Sequence, residues 1–206
     1  MMLKSKSHFV LCFLILLFFA TYQFQHTNAQ VSHGGQPYSF SHDYVKKHIA
    51  TETMPNIDFE AVATEDALND GKGNAFRFGM ELDVKLNLQN AGTWETLADG
   101  SRLWRLKIYA KKAKTINLVY KHFYMPTGAT LHLYNEEKTS LLGAFTEANN
   151  KDYLKFSTGF IKGETTVLEY HEPAEVVGQG IINISKVVHG YRGLFDKAKG
   201  YGDSGS

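Results

Sequence analysis

Cysteine is almost absent from this chain, because Cys12 is the only one among 206 residues. A single cysteine excludes an internal disulfide framework and a metal site of clustered thiolates, since both need cysteines in sets. The fold must therefore be stabilised by an apolar core.

An excess of charge of one sign is also lacking: 22 Lys and Arg residues stand against 21 Asp and Glu residues. A near-neutral chain has no electrostatic footprint for nucleic acid or for an anionic membrane surface. The sequence likewise has no phosphate loop and no dinucleotide-binding glycine motif, the short motifs that mark nucleotide sites. We therefore predict no nucleic-acid partner and no cofactor.

A long apolar run occurs only near the N-terminus. Lys4 and Lys6 precede the twelve-residue apolar run Phe9–Ala20, and the stretch 27–29 ends in a small residue. This order is typical of a secretory signal peptide over residues 1–29.

Cleavage of that signal peptide is predicted between Ala29 and Gln30, with secretion of the remainder. The apolar run is shorter than the roughly 20 residues that cross a bilayer, so no retained membrane anchor is expected. Cleavage removes Cys12 and two lysines, which leaves 20 basic residues against 21 acidic ones, a net charge of −1.

Residues 30–75 are predicted to form a mostly irregular tether. Glycine, proline and serine interrupt any period there, and apolar residues come singly. His33, His42 and His48 are nine and six residues apart, which matches no metal-ligand spacing. Solvated loop histidines are the favoured interpretation.

One part of this tether has helical spacing. Phe59, Val62, Ala63 and Ala67 recur at i, i+3, i+4 and i+8, and Asp58 precedes them as a candidate N-cap. The pattern predicts a short amphipathic helix over residues 58–69.

From Phe76 onward the apolar period becomes two. The alternating or apolar runs are 80–88, 103–108, 116–120, 131–133, 153–161, 165–171 and 181–188. Turn signals separate these runs, and no helical pattern lies between them. Seven or eight short strands of this kind predict an all-β fold, an antiparallel and jelly-roll-like β-sandwich over residues 76–195. Leu106 and Leu118 are expected to face its core.

Several residues of the predicted sandwich suggest binding. Trp94 and Trp104 flank the Asp99-Gly100 turn and have rings that can stack on a sugar, although the apolar strand around Trp104 favours a core position. Trp94 could be either a sugar-stacking residue or a core residue.

Polar residues of the predicted sandwich suggest other sites. His122 and His132 could face each other on neighbouring strands as a metal pair, but no third ligand accompanies them. Asn183 begins a formal glycosylation signal, Asn-Ile-Ser, within an apolar strand that disfavours its use.

Residues 196–206 are rich in glycine and charge, which is typical of an exposed linker. Within them Gly-Asp-Ser-Gly matches the surroundings of a trypsin-like nucleophile, and His48, Asp83 and Ser204 occur in a permitted order. Only two residues follow Ser204, too few to complete a specificity pocket. No catalytic residue is therefore predicted in this chain, and we expect the sequence to have been cut at a domain junction.

A series of longer motifs carries a family resemblance. In order they are GTWETL (92–97), DGSRLWRL (99–106), INL (116–118), PTGATL (126–131), LGAFT (142–146), LEYHEP (168–173) and VVHGYRG (187–193). Together they resemble the N-terminal region of secreted lysyl-endopeptidase-like serine proteases over roughly residues 54–206.

The resemblance implies that this chain is the signal peptide and pro-region of a secreted trypsin-like endopeptidase precursor. Its partner would be its own downstream protease domain, which would cleave after lysine or another basic residue, and whose catalytic residues lie beyond this sequence. Maturation would then cut the linker, with Lys199–Gly200 as the candidate bond. The alternative is a free-standing secreted β-sandwich that binds carbohydrate or a cell-surface partner through Trp94.

Overall fold

A computed structural model describes residues 32–43, 45, 48–70 and 72–193. The signal peptide with its Ala29–Gln30 cleavage site lies outside these residues. So do the linker 196–206, the candidate bond Lys199–Gly200, and Ser204.

The described residues form eleven strands and one α-helix. In chain order these are β1 (Ala50–Thr53), α1 (Phe59–Asn69), β2 (Gly79–Asn87), β3 (Thr93–Thr96), β4 (Arg102–Tyr109), β5 (Thr115–Tyr124), β6 (Thr130–Tyr134), β7 (Leu141–Phe145), β8 (Phe156–Ser157), β9 (Ile161–Lys162), β10 (Thr165–Glu172) and β11 (Ile181–Gly190). Short 3-10 turns lie at Tyr38–Phe40, Glu147–Asn149 and Ala174–Val176.

The strands make two sheets. Sheet A has the order β4–β10–β6–β7, and β1 and β3 both pair with the free side of β4. Sheet B has the order β2–β11–β5, with β8 and β9 on the far side of β5. The pairing is antiparallel except between β1 and β4. The predicted all-β sandwich is confirmed.

The core lies between the two sheets and follows the period-two pattern. Leu106 and Leu118, from opposite sheets, are fully buried as predicted. Trp104 is also fully buried, and its indole N–H donates to the carbonyl of Ala91 at 2.8 Å, which confirms the core interpretation. Alternation thus assigned the inward faces of the longer strands correctly, because successive side chains of a strand point to opposite faces.

The predicted helix and its N-cap are confirmed by α1. The Asp58 carboxylate accepts from the backbone N–H groups of Glu60 and Ala61, each at 3.1 Å, which satisfies donors that the first helical turn leaves free. Val62 and Asp66 are the buried residues of the helix.

Asp66 fixes α1 to the sandwich through a charged cluster. Its carboxylate accepts from Arg77 Nε at 2.9 Å, Tyr191 OH at 2.7 Å and Arg192 Nε at 3.0 Å. Arg77 precedes β2 and the other two follow β11. We call Asp66, Arg77, Tyr191 and Arg192 the helix clamp.

The structure differs from the strand predictions in four places. The stretch expected to be irregular contains β1, and β3 and β7 were not predicted as strands. Each has only four or five residues, too few to show a clear period. The apolar run 153–161 is mostly irregular, with only β8 and the start of β9 in strand; Leu154 there has a positive φ of 56°, which interrupts an extended backbone.

Candidate functional site

The outer face of sheet A carries three titratable side chains that are almost completely buried. Arg105 of β4, Glu169 of β10 and His132 of β6 are register partners, and their exposed fractions are 7 %, 1 % and 4 %. Side chains on the outer face of a sandwich are normally solvated. We call these three residues the polar row.

Residues 32–43, which we call the strap, lie over this row. The backbone N–H of Ser39 donates to Glu169 Oε1 at 2.9 Å, and its hydroxyl donates to Oε2. The Tyr134 hydroxyl donates to the same Oε2 at 3.0 Å. Both oxygens of the buried carboxylate therefore have donors, as a buried charge requires.

The start of the strap pairs with β7, an edge strand of sheet A. The His33 N–H donates to the Ala144 carbonyl at 3.1 Å, and the Ala144 N–H donates to the Gly34 carbonyl at 2.8 Å. The Ser32 hydroxyl also donates to the carbonyl of Gly143 in β7. An extended segment added to a sheet edge in this way satisfies backbone groups that the edge leaves open.

The middle of the strap is held by a stack of three rings. Tyr38 lies between His42, with ring centroids 3.9 Å apart, and His171 of β10, at 4.9 Å, with all three rings nearly parallel. His171 Nε2 lies 3.2 Å from Ser101 Oγ. Burial lowers the pKa of His171 more than the nearby carboxylates of Asp99, Glu169 and Glu172 raise it.

The three loop histidines expected to be solvated have different environments. His33 and His48 are exposed, as predicted. His42 is half-buried in the ring stack, and its Nδ1 lies 2.8 Å from the carbonyl oxygen of Tyr38. For His42 the prediction was wrong.

His132 is the least satisfied member of the polar row. Its Nε2 has no hydrogen-bond partner among the residues that the structure describes. Burial lowers the pKa of His132, although the Glu169 charge and a hydrogen bond with the Gly34 backbone act in the opposite direction.

The metal pair of His122 and His132 that was considered from the sequence, without a metal site being predicted, is not assembled in the structure. His122 lies on β5 in sheet B, whereas His132 lies on β6 in sheet A, so the two are not on neighbouring strands. His122 is exposed, and its Nδ1 lies 3.5 Å from Asn183 Nδ2. Over the described ranges there is no group of three or more His, Cys, Asp or Glu residues that could hold a metal ion.

A cavity of about 330 Å³ lies beside the polar row. Its lining includes His42 and Asp43 of the strap and Arg105 and Tyr134 of sheet A. Arg105 is already 3.8 Å from the Glu95 carboxylate. Positive and negative groups are mixed in the lining, so the cavity does not select an ion of one sign.

A serine, a histidine and an aspartate do meet near the strap, but not in a catalytic order. Ser101 Oγ donates to Asp99 Oδ1 at 2.6 Å and also contacts His171 Nε2. In a catalytic triad the histidine lies between the hydroxyl and the carboxylate, whereas here the hydroxyl lies between the other two. Ser101 is also only 3 % exposed. The arrangement is a structural hydrogen-bond chain.

The triad weighed from the sequence is not assembled by the described residues. His48 lies just before β1 of sheet A, and Asp83 lies on β2 of sheet B; Ser204 is outside the described ranges.

Trp94 offers little free ring surface. The Arg102 guanidinium lies 4.3 Å from its ring centroid, and its indole N–H donates to the Leu88 carbonyl at 2.8 Å. The Tyr170 ring meets it edge-on at 6.1 Å. One ring face is therefore already covered by a cation, which leaves less of the indole for stacking on a sugar.

A comparison of the chain with models of known protein families finds no match. Among the helices of the described residues, none has the length and apolar character needed to cross a bilayer.

Proposed function

We propose that this chain is the signal peptide and pro-region of a secreted trypsin-like serine endopeptidase precursor. Its β-sandwich would bind the downstream protease domain, assist the folding of that domain and delay its activity until the linker is cut. The family resemblance of the ordered motifs supports this proposal, and the chain itself would not be the enzyme.

One observation connects those motifs with the fold. Their residues occupy the positions on which the sandwich depends: Trp104 fills the core, and a Cβ on Gly92 would lie 2.5 Å from its Nε1. Arg102 forms an ion pair with the fully buried Glu172. Motifs that coincide with core and buried-charge positions support a shared domain fold rather than a chance match of short strings.

The polar groups of the site favour a binding role over catalysis. Glu169 is buried and already accepts three hydrogen bonds, and Ser101 is buried with its hydroxyl bonded to Asp99. A catalytic carboxylate or hydroxyl has to reach a substrate within hydrogen-bond distance, and neither of these groups is exposed.

The outer face of sheet B is the surface that we assign to the protease domain, because the strap occupies the outer face of sheet A. Tyr124 of β5 and Ile181 of β11 are register partners, each 38 % exposed. They point outward because their neighbours Phe123 and Ile182 are in the core. Tyr153, 67 % exposed, lies on the next segment, where the Leu154 carbonyl accepts from Phe123 N–H. Tyrosine is enriched in protein interfaces.

The first experiment is to sequence the nucleotides that follow the Ser206 codon in the source genome. An in-frame continuation that supplies a histidine, an aspartate and a second Gly-Asp-Ser-Gly supports the precursor. An immediate stop codon overturns it and favours the free-standing binding module.

The second experiment tests the assigned surface in the full precursor. Tyr124→Lys or Ile181→Lys should reduce the yield of active mature protease at least several-fold, because each places an extra charge in the interface. Thr51→Lys on the exposed side of β1 is the matched control and should leave the yield unchanged. Equal yields from all three variants would show that this face does not contact the protease domain.

A further inference from the structure

The strap is attached by polar and aromatic contacts on the outer side of sheet A. Of its twelve residues only Pro37 is buried, and the others are half-buried or exposed. The attachments include the Ser39–Glu169 hydrogen bonds, the pairing with β7 and the ring stack on His171. Phe40 also packs edge-on against Tyr134, with Lys138 over its ring. None of these contacts belongs to the core between the sheets, so the strap can open without unfolding the sandwich.

Two of the attachments lie beside histidines of sheet A, the buried His132 and the half-buried His171. His132 is faced by the Glu169 carboxylate from β10, by the Gly34 backbone from the strap and by Gly143 from β7. The Arg105 guanidinium belongs to the next strand beyond Glu169. A proton added at Nε2 of His132 would find no acceptor in the described part of the chain.

We propose that the strap is a pH-sensitive latch: protonation of His132 releases residues 32–43 from sheet A while the sandwich remains folded. The latch follows from the contacts of the strap and does not rest on the proposed function. Buried histidines that must become charged are a known means of switching a contact with pH.

The protonation equilibrium of His132 determines whether acid opens or closes the strap. Burial lowers the pKa of His132 below its ordinary value of 6.5 in the closed state, whereas an exposed ring in the open state keeps the ordinary value. The closed state is therefore fully favoured above about pH 6.5 and weakens as the pH falls toward the lowered value. Within that window the ratio of closed to open strap should fall, by at most about tenfold per pH unit for one histidine.

Protonation of His171 should also disfavour the closed strap. This histidine is faced by Asp99, Glu169 and Glu172, by the Ser101 hydroxyl, and by Tyr38 and His42 of the strap. Its pKa is also lowered, with burial as the largest cause. Its protonation adds to the loss of the closed state.

Amide hydrogen exchange measures the latch directly in the full chain. After correction for the intrinsic exchange rate, the protection of the His33, Ser39 and Ala144 amides should fall between pH 6.5 and pH 5.5, by no more than about fivefold for each histidine that titrates. Amides in β5 and β11 should keep their protection, because they report the sandwich. Equal losses in both sets, or unchanged or rising protection of the strap amides in acid, would overturn the proposal.

Two variants assign the effect to His132. His132→Gln should weaken the pH dependence and leave only the part that His171 contributes, whereas His122→Gln, at an exposed position of sheet B, should keep it in full. Unchanged pH dependence in folded His132→Gln contradicts the latch. If this variant does not fold, an NMR titration of His132 in the unaltered chain replaces it. The titration midpoint of His132 should coincide with the pH at which the strap amides lose protection. A midpoint more than one pH unit away overturns the assignment to His132.

Discussion

The helix clamp makes a sharp prediction at Asp66. Replacing Asp66 by Asn keeps the shape of the side chain but removes a carboxylate that is only 6 % exposed and that faces two guanidinium groups and a phenol. Its ion-pair distances are 2.8 Å to Arg77 and 2.5 Å to Arg192. The free energy of unfolding should therefore fall.

The size of this loss follows from the burial of each partner. Removing one member of a buried ion pair costs about 3–5 kcal/mol. Arg77 and Arg192 are partly exposed, at 33 % and 19 % for the side chains, and each keeps a second carboxylate, Glu65 or Asp70. The expected loss is therefore about 2–3 kcal/mol, near the value for a single charged hydrogen bond.

The pH dependence of the free energy of unfolding tests the role of Asp66 independently. Burial by itself raises the pKa of Asp66, but the hydrogen bonds from Tyr191, Arg192 and Arg77 outweigh it and leave the pKa below its ordinary value of 3.8. Stability from this group is then fully present above about pH 3.8 and is lost as the pH falls through the lowered pKa. The difference between the unaltered chain and Asp66→Asn should accordingly shrink in strong acid.

Urea unfolding of both proteins between pH 7 and pH 2.5 measures this difference, in which the titration of other groups cancels. Asp70→Asn is the matched control, because Asp70 is 48 % exposed and contacts Arg192 alone within the clamp; its cost should be below about 1 kcal/mol. A loss below about 0.5 kcal/mol for Asp66→Asn, or a difference that stays constant into acid, would refute the account of the clamp.

Three further predictions concern packing, activity and processing. In thermal or urea unfolding, Gly92→Ala should destabilise the domain by about 1–3 kcal/mol more than Gly163→Ala. Both glycines have positive φ, but only Gly92 lies against Trp104. Equal losses of stability would contradict the contact with Trp104. Purified residues 30–206 should hydrolyse no lysyl or arginyl ester above background, since no oxyanion hole is expected in them, and labelling by a fluorophosphonate probe would contradict this. In the full precursor, Lys199→Gln should shift the N-terminus of the mature protease, and an unchanged N-terminus in that variant would exclude self-processing at this lysine.

The sequence by itself determined the class of the fold. Alternation over residues 80–88 predicted β2 and its inward face, and the apolar character around Trp104 predicted its burial. The helix α1 could be predicted with its N-cap, because a capping carboxylate and helical spacing are local properties of a few neighbouring residues. Each of these inferences uses only the residues within one element and its immediate flanks.

Side-chain patterns could not predict the short strands. Strand β1 alternates only between half-buried and exposed residues, so it carries no apolar period. It becomes a strand because β4 offers it a free edge with which to pair. Strands of this kind are stabilised by their partner rather than by their own pattern.

Only the tertiary structure determined the candidate site. From the sequence, Arg105 and Glu169 occupy outward positions on strands, where charged residues are ordinarily solvated. They are buried because the strap crosses that face, with Ser39 hydrogen-bonded to a carboxylate 130 residues away. The aromatic residues Tyr38 and Phe40 were the only local sign that the N-terminal segment has a surface to pack against. A contact between such distant residues depends on the register of three strands and on the path of the segment above them, neither of which side-chain periodicity encodes.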